Sequence, residues 1–254
     1  MAETTQDTRD AALRMDAARF RRITRAFQDC VREILPHMDD AGENHYFIRQ
    51  TKETQYLLDE MSTSLYGRRR AEFYQRTGII TAFAKDTPLS SKIQRGYHDE
   101  ANRGIVIVAA PHMALSPEER FRALVVTLCH EIIHVEQAVA IGPKDFLGPQ
   151  GSAINIGYFI LREAGALAGE KILNYELNAA KAGRSAEPGS AFDAARNVFI
   201  DCTTQKDWIN YATGNSLWPE TLHRLQPTPL DFMRKEMGQG FIQKFTQAHG
   251  MSFL

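Results

Sequence analysis

Cysteine is scarce in this chain. Three residues, Cys30, Cys129 and Cys202, are spread over 254 positions, far apart and odd in number. That excludes a disulfide framework of the small secreted kind and fits a reducing compartment. Charge of one sign is lacking too: 30 Lys and Arg against 31 Asp and Glu leave a formal net charge of −1. A general nucleic-acid binder carries a basic excess, so nucleic acid is not the expected partner. The run Gly67-Arg68-Arg69-Arg70 is the one concentrated basic patch, and it reads as a solvated helix face. No apolar run approaches the roughly 20 residues that cross a bilayer. The opening MAETTQDTRDAALRMD is polar and mixed in charge, without the apolar centre of a signal peptide. The expectation is a cytoplasmic protein with no membrane partner, although export by a route without a cleaved signal would leave no such trace.

What the chain does contain is ordinary for a globular protein: 43% hydrophobic and 24% charged residues. A chain this long buries a core without a staple, so any metal it binds is functional rather than structural. The patterning predicts a mostly helical α+β fold in a single domain over 1–254. Residues 1–8 read as a disordered start and 9–76 as an N-terminal helical layer. Residues 77–182 read as a core with a small twisted sheet and two long helices, and 183–254 as a helical C-terminal part. Within the layer, Leu13, Phe20, Ile23, Phe27, Val31 and Leu35 recur at helical spacing, PHMDDAGEN is a loop, and a second helical stretch falls within 51–76. GIITAFA (78–84) and GIVIVAA (104–110) are short β-branched runs and predict strands, with an extended segment IQRGYHDE before the second. Ser116-Pro117-Glu118-Glu119 is a helix start, with an N-cap serine, proline at the first position and a glutamate that can reach back. That helix should run to about Ala140, where IGPKDFLGPQG stops it. A further helix covers about 153–181, and two or three more follow GRSAEPGS.

The first of these long helices carries CHEIIHVEQ, residues 129–137. Positions four apart share a helix face, so His130 and His134 can aim two imidazoles at one point. Glu131 projects beside them, where a carboxylate can deprotonate a zinc-activated water. Phe121, Leu124, Leu128, Ile132, Val135 and Val139 form an apolar stripe at three-and-four spacing that would seat the helix in a core. The histidines fall at its edge. Cys129 points about 100° away from His130 and reads as a small buried filler.

A catalytic zinc ordinarily takes three protein ligands. No histidine follows at short spacing, but LREAGALAGEKIL (161–173) offers Glu163 and, seven positions on, Glu170 on nearly the same face. Ala164, Gly165, Ala166, Ala168 and Gly169 around them permit close helix approach. An HExxH helix, a loop and then a helix bearing a glutamate resembles the gluzincin branch of the zincin metallopeptidases. REAGALAGEKIL is similar to the E-A-x-x-x-A helix of small bacterial members, among them the phage-immunity metallopeptidases and several uncharacterised bacterial families. The resemblance covers about 78–175 and implies a zincin-like fold, Zn²⁺ as cofactor and Glu163 as third ligand. It departs from the thermolysin-like pattern N-E-x-x-S-D, because position 167 is leucine where that pattern has the aspartate bracing a zinc histidine. Glu170 is then the candidate brace. For a donor to the oxyanion, Tyr158, Tyr175, Tyr211, His112 and His223 are the available side chains.

Taken together, motif and resemblance lead to the expectation of a zinc metallopeptidase acting on a peptide or protein. His130, His134 and Glu163 hold the metal, Glu131 is the general base, and Glu170 braces a histidine. Two rival readings keep the fold. One is a catalytically silent metal-binding module. The other is a regulatory protein that docks a bacterial partner, for which the apolar face of PLDFMRKEMGQGFIQKF would serve, though it suits core packing better.

Overall fold

The computed structural model describes residues 52–84, 95–99, 104–108, 112, 115–141, 153–204 and 228–248. The expected disordered start, the amphipathic helix ending near Leu35 and the loop after it lie outside these residues. So do Cys30, Tyr211 and His223.

The elements run α1 (Lys52–Met61), α2 (Leu65–Thr77), β1 (Ile80–Ala84), β2 (Gly96–Asp99), β3 (Gly104–Val108), α3 (Pro117–Ile141), α4 (Ala153–Lys181), α5 (Pro188–Thr204), α6 (Pro229–Met237) and α7 (Gln239–Ala248). Among the described residues this is a mostly helical α+β chain with seven helices and one three-stranded sheet. The residues gather into two compact units, Met1–Glu60 with Ile79–Leu128, and Met61–Gly78 with Cys129–Leu254.

The first unit holds the sheet, in the order β1-β3-β2. β1 pairs parallel with β3, Ile80 opposite Gly104, and β2 pairs antiparallel with β3, Gly96 opposite Ile107. Central β3 is buried along its whole length, as its unbroken apolar sequence requires. The start of α3 is a reciprocal capping box. Ser116 N–H donates to the Glu119 carboxylate at 3.1 Å, and Glu119 N–H faces Ser116 Oγ at 3.4 Å. Arg120, buried, donates from Nε to the carbonyl of His112 and from Nη2 to that of Leu115, both at 3.0 Å. His112 is fully buried, its Nδ1 2.7 Å from the Val108 carbonyl and its Nε2 3.1 Å from the Thr127 hydroxyl. The end of β3 and the first half of α3 are thereby joined through one imidazole.

The second unit is helical. α4 packs chiefly on α5, and also on α6 and α2, while α6 packs on α7. Ser64 caps α2, its Oγ accepting from Gly67 N–H at 2.8 Å. Glycines 78 and 183 take left-handed φ near 65° just past the ends of α2 and α4, which is where a helix is most readily stopped. Leu230, Met233, Ile242 and Phe245 are buried, so the apolar face of α6 and α7 is used in packing.

Two expectations need correction. The run Gly67–Arg70 is not one solvated face: Arg68 and Arg69 are exposed, but Arg70 is buried, with Nε 3.3 Å from Glu136 Oε2 and its guanidinium 3.7 Å above the Tyr66 ring. Successive helical residues point about 100° apart, so a run of three cannot stay on one side. The stripe on α3 is also not a single face. Val125, Val126, Cys129 and Ile133 are buried as well as Leu124, Leu128, Ile132 and Val135, whereas Val139 is 64% exposed. α3 is covered on most sides until its last turn. By length and composition Glu119–Ile141 is apolar enough to cross a membrane, but 67% of that window is buried within the protein, as befits a core helix.

Candidate metal centre

Helices α3 and α4 bring together the residues in question, all within the second unit. One turn apart on α3, the rings of His130 and His134 stand edge to face with centroids 4.6 Å apart. Both Nε2 atoms meet the Glu163 carboxylate on α4. His134 Nε2 is 3.1 Å from Oε1 and His130 Nε2 is 3.4 Å from Oε2. One donor atom from each of the three lies within 4.8 Å of the others, an arrangement that could hold a metal ion.

The other ring nitrogens are engaged on their far sides. His130 Nδ1 lies 2.6 Å from Glu170 Oε1. His134 Nδ1 lies 2.8 Å from Gln137 Oε1 and 3.1 Å from the Nε–H of Arg162. Gln137 in turn donates from Nε2 to the Arg162 carbonyl at 2.9 Å. Glu163 and Glu170 are therefore not equivalent. Glu163 reaches the Nε2 of both histidines, and Glu170 reaches the Nδ1 of His130.

Proton affinities in this cluster diverge. At His130, burial disfavours charge, yet hydrogen bonds to Glu163 and Glu170 outweigh it and hold the imidazole well above its usual 6.5. At His134, burial wins, partly offset by Glu163 and reinforced by Arg162 and His130, and the value falls to about 4. Burial would raise Glu163, but the two histidines hold its carboxyl well below the usual range. Glu131 is buried and pushed by burial up to about 7 against the opposing pull of His130. Its Oε2 is enclosed and has no hydrogen-bond partner among the described residues.

The residues fit a zinc-type ion on three counts. Donors bound to one zinc at about 2.1 Å in a tetrahedron stand about 3.4 Å apart, which is close to the two imidazole–carboxylate separations. Two imidazoles and a carboxylate are a donor set that zinc favours. A Nδ1–H donated to Glu170 or to Gln137 leaves the Nε2 lone pair facing inward, as a ligand histidine must.

Support behind the centre comes from α2. Gly169, next to Glu170, has the side-chain tip of Ile133 and the hydroxyl of Tyr66 where a Cβ would stand. The Tyr66 N–H donates to Glu176 at 2.8 Å, and burial pushes Glu136 up to about 7 even with Arg70 beside it. Cys129 is buried and free.

Of the expected oxyanion donors, His112 is buried with both ring nitrogens engaged and belongs to the first unit. Tyr158 is buried, edge-on to Phe245 at 6.4 Å. Tyr175 is half-buried on α4. Sequence reasoning missed Gln137 and Arg162. Their only signal was position, Gln137 three residues beyond His134 and Arg162 immediately before Glu163. Compared with protein-family models, curated proteins and solved structures, the chain matches none of them.

Proposed function

We propose that the protein is a zinc metallopeptidase of gluzincin type that hydrolyses a peptide bond in a peptide or protein substrate. One observation carries the reading: the Nε2 atoms of His130 and His134 converge on the Glu163 carboxylate while both Nδ1 atoms have oxygen acceptors behind them. In this reading His130, His134 and Glu163 hold the ion, and Glu170 braces His130.

When bound there, zinc supplies Lewis-acid polarisation of the scissile carbonyl and makes a water acidic enough to attack near neutral pH. The proton work falls to Glu131. Its buried Oε2, which no described residue engages in a hydrogen bond, takes the proton of the attacking water and then passes it to the departing amine nitrogen. Burial excludes competing water from that carboxylate and keeps its affinity for a proton high. The carboxylate of Glu131, buried beside the two histidines, counts against a silent metal-binding module, since a purely structural site has no use for a base there. The three widely spaced cysteines support action in a reducing, cytoplasmic setting.

Glu131→Gln is the test. The variant should keep about one zinc per chain by elemental analysis and lose peptide hydrolysis, because Gln preserves the shape and removes the base. His134→Ala should lose the metal. Loss of zinc in Glu131→Gln comparable to that in His134→Ala would overturn the assignment of roles.

A further inference from the structure

His134 Nδ1 faces two neighbours with opposite demands. Gln137 Oε1, 2.8 Å away, is an acceptor and asks for a proton on Nδ1. Arg162 Nε–H, 3.1 Å away, is a donor and asks for a lone pair there. A neutral imidazole can satisfy one of them. Which one it satisfies decides what Nε2 presents to Glu163 Oε1, 3.1 Å off: a lone pair in the first case, an N–H in the second.

The amide of Gln137 cannot simply turn to please both. Its Nε2 donates to the Arg162 carbonyl at 2.9 Å, so a flip would set two oxygens against each other there. Gln137 is also fully buried, away from bulk solvent. Its oxygen is therefore held at Nδ1, and its contact is the shorter of the two. From this geometry we infer that Gln137 is a positioning residue for His134. It fixes the Nδ1–H tautomer and so points the Nε2 lone pair at the place where Glu163 and His130 converge. Arg162 is its antagonist and favours the tautomer that cannot bind a metal; with no ion present the Glu163 carboxylate, which accepts only from an Nε2–H, acts in the same direction. A carboxylate serves one histidine, Glu170 on His130, and a neutral amide serves the other. The inference rests on the metallopeptidase reading for its consequence, metal affinity, but not for its direct observable, the tautomer.

The test uses the full chain, with and without zinc. In ion-free Glu163→Ala, where no carboxylate faces Nε2, long-range ¹H–¹⁵N spectra of labelled histidine should show His134 protonated on Nδ1. With Gln137→Leu added, the proton should move to Nε2, since the Arg162 donor then meets no rival at Nδ1; with Arg162→Leu added instead, it should stay on Nδ1. In the otherwise unchanged chain, Gln137→Leu should lower zinc affinity by competition titration roughly 10–100-fold. Arg162 is half-buried, so Glu163→Ala with Arg162→Leu gives a readout should the buried Gln137 variant not fold. An Nε2–H tautomer in Glu163→Ala, with or without Arg162→Leu, overturns the inference, as does unchanged tautomer and affinity on Gln137→Leu. Failure of the wild type itself to bind zinc would sink the metallopeptidase reading and leave the tautomer measurement to decide the role of Gln137.

Discussion

Glu163 and Glu170 stand two helical turns apart on α4, about 10 Å along its axis, yet both touch His130, on opposite edges of the ring. In the proposed site one is a ligand and the other a brace, and their removal should differ accordingly. Glu163→Ala takes away the carboxylate shared by two imidazoles and should abolish zinc binding. Glu170→Ala leaves all three donors and should weaken binding roughly 10–100-fold. Parallel zinc titrations read the difference, and the reverse ranking would exchange the two roles. The i, i+4 histidines were legible in the sequence because one helix alone sets their spacing. Which edge of which ring each glutamate would reach was not, because that depends on where α4 crosses α3. Gln137 escaped notice for a related reason: an amide carries no motif, and its meaning comes from the Arg162 carbonyl on another helix.

At the level of elements, local signals were the readable ones. Ser116, Pro117 and Glu119 placed the start of α3, and the glycine- and proline-rich segment before Ala153 and Gly183 after Lys181 bounded α4 as read. The β-branched runs gave two strands and the extended segment a third. Their order was not legible, since parallel pairing of β1 with β3 is a long-range matter that no residue pattern announces. His112 joins the end of this sheet to α3, and it carries a pH dependence of its own. Burial, reinforced by Arg95 and Arg120 against hydrogen bonding to backbone, sets its value below 6.5. The unfolded chain therefore binds this proton more readily than the folded one. The contribution to stability is fully present above pH 6.5 and is lost as the pH falls through the lower folded value. Denaturation midpoints followed from neutral to acid pH should fall more steeply for the wild type than for His112→Gln. Parallel slopes would show that the imidazole is not the group responsible.

For the whole molecule, the proposed ion should act as a ligand of the folded state alone. Three carboxylates, Glu131, Glu163 and Glu170, crowd the two imidazoles at the centre, and a cation bound there stabilises the folded chain by about 2.7 kcal/mol at a free concentration 100 times its dissociation constant. Chelation should then lower the melting temperature by roughly 5–10 °C, and zinc should restore it. A melting curve indifferent to chelator would leave no ion in the folded protein. Reductant, by contrast, should change little at Cys129 and Cys202, which are buried and free. The close fit at Gly169 has a consequence for how such a chain can drift. Inside a helix, Gly→Ala ordinarily gains up to about 1 kcal/mol. Here the added methyl meets Ile133 and the Tyr66 hydroxyl, and overpacking of that kind costs about 1–3 kcal/mol. Gly169→Ala should therefore lose up to about 2 kcal/mol in denaturant titration, and the adjacent Glu170 should loosen its hold on His130. Lineages descending from this sequence face an order of events: Tyr66 must first shed its hydroxyl and Ile133 its outermost methyl before position 169 can grow. Taken in the opposite order, the same substitutions pass through a less stable intermediate.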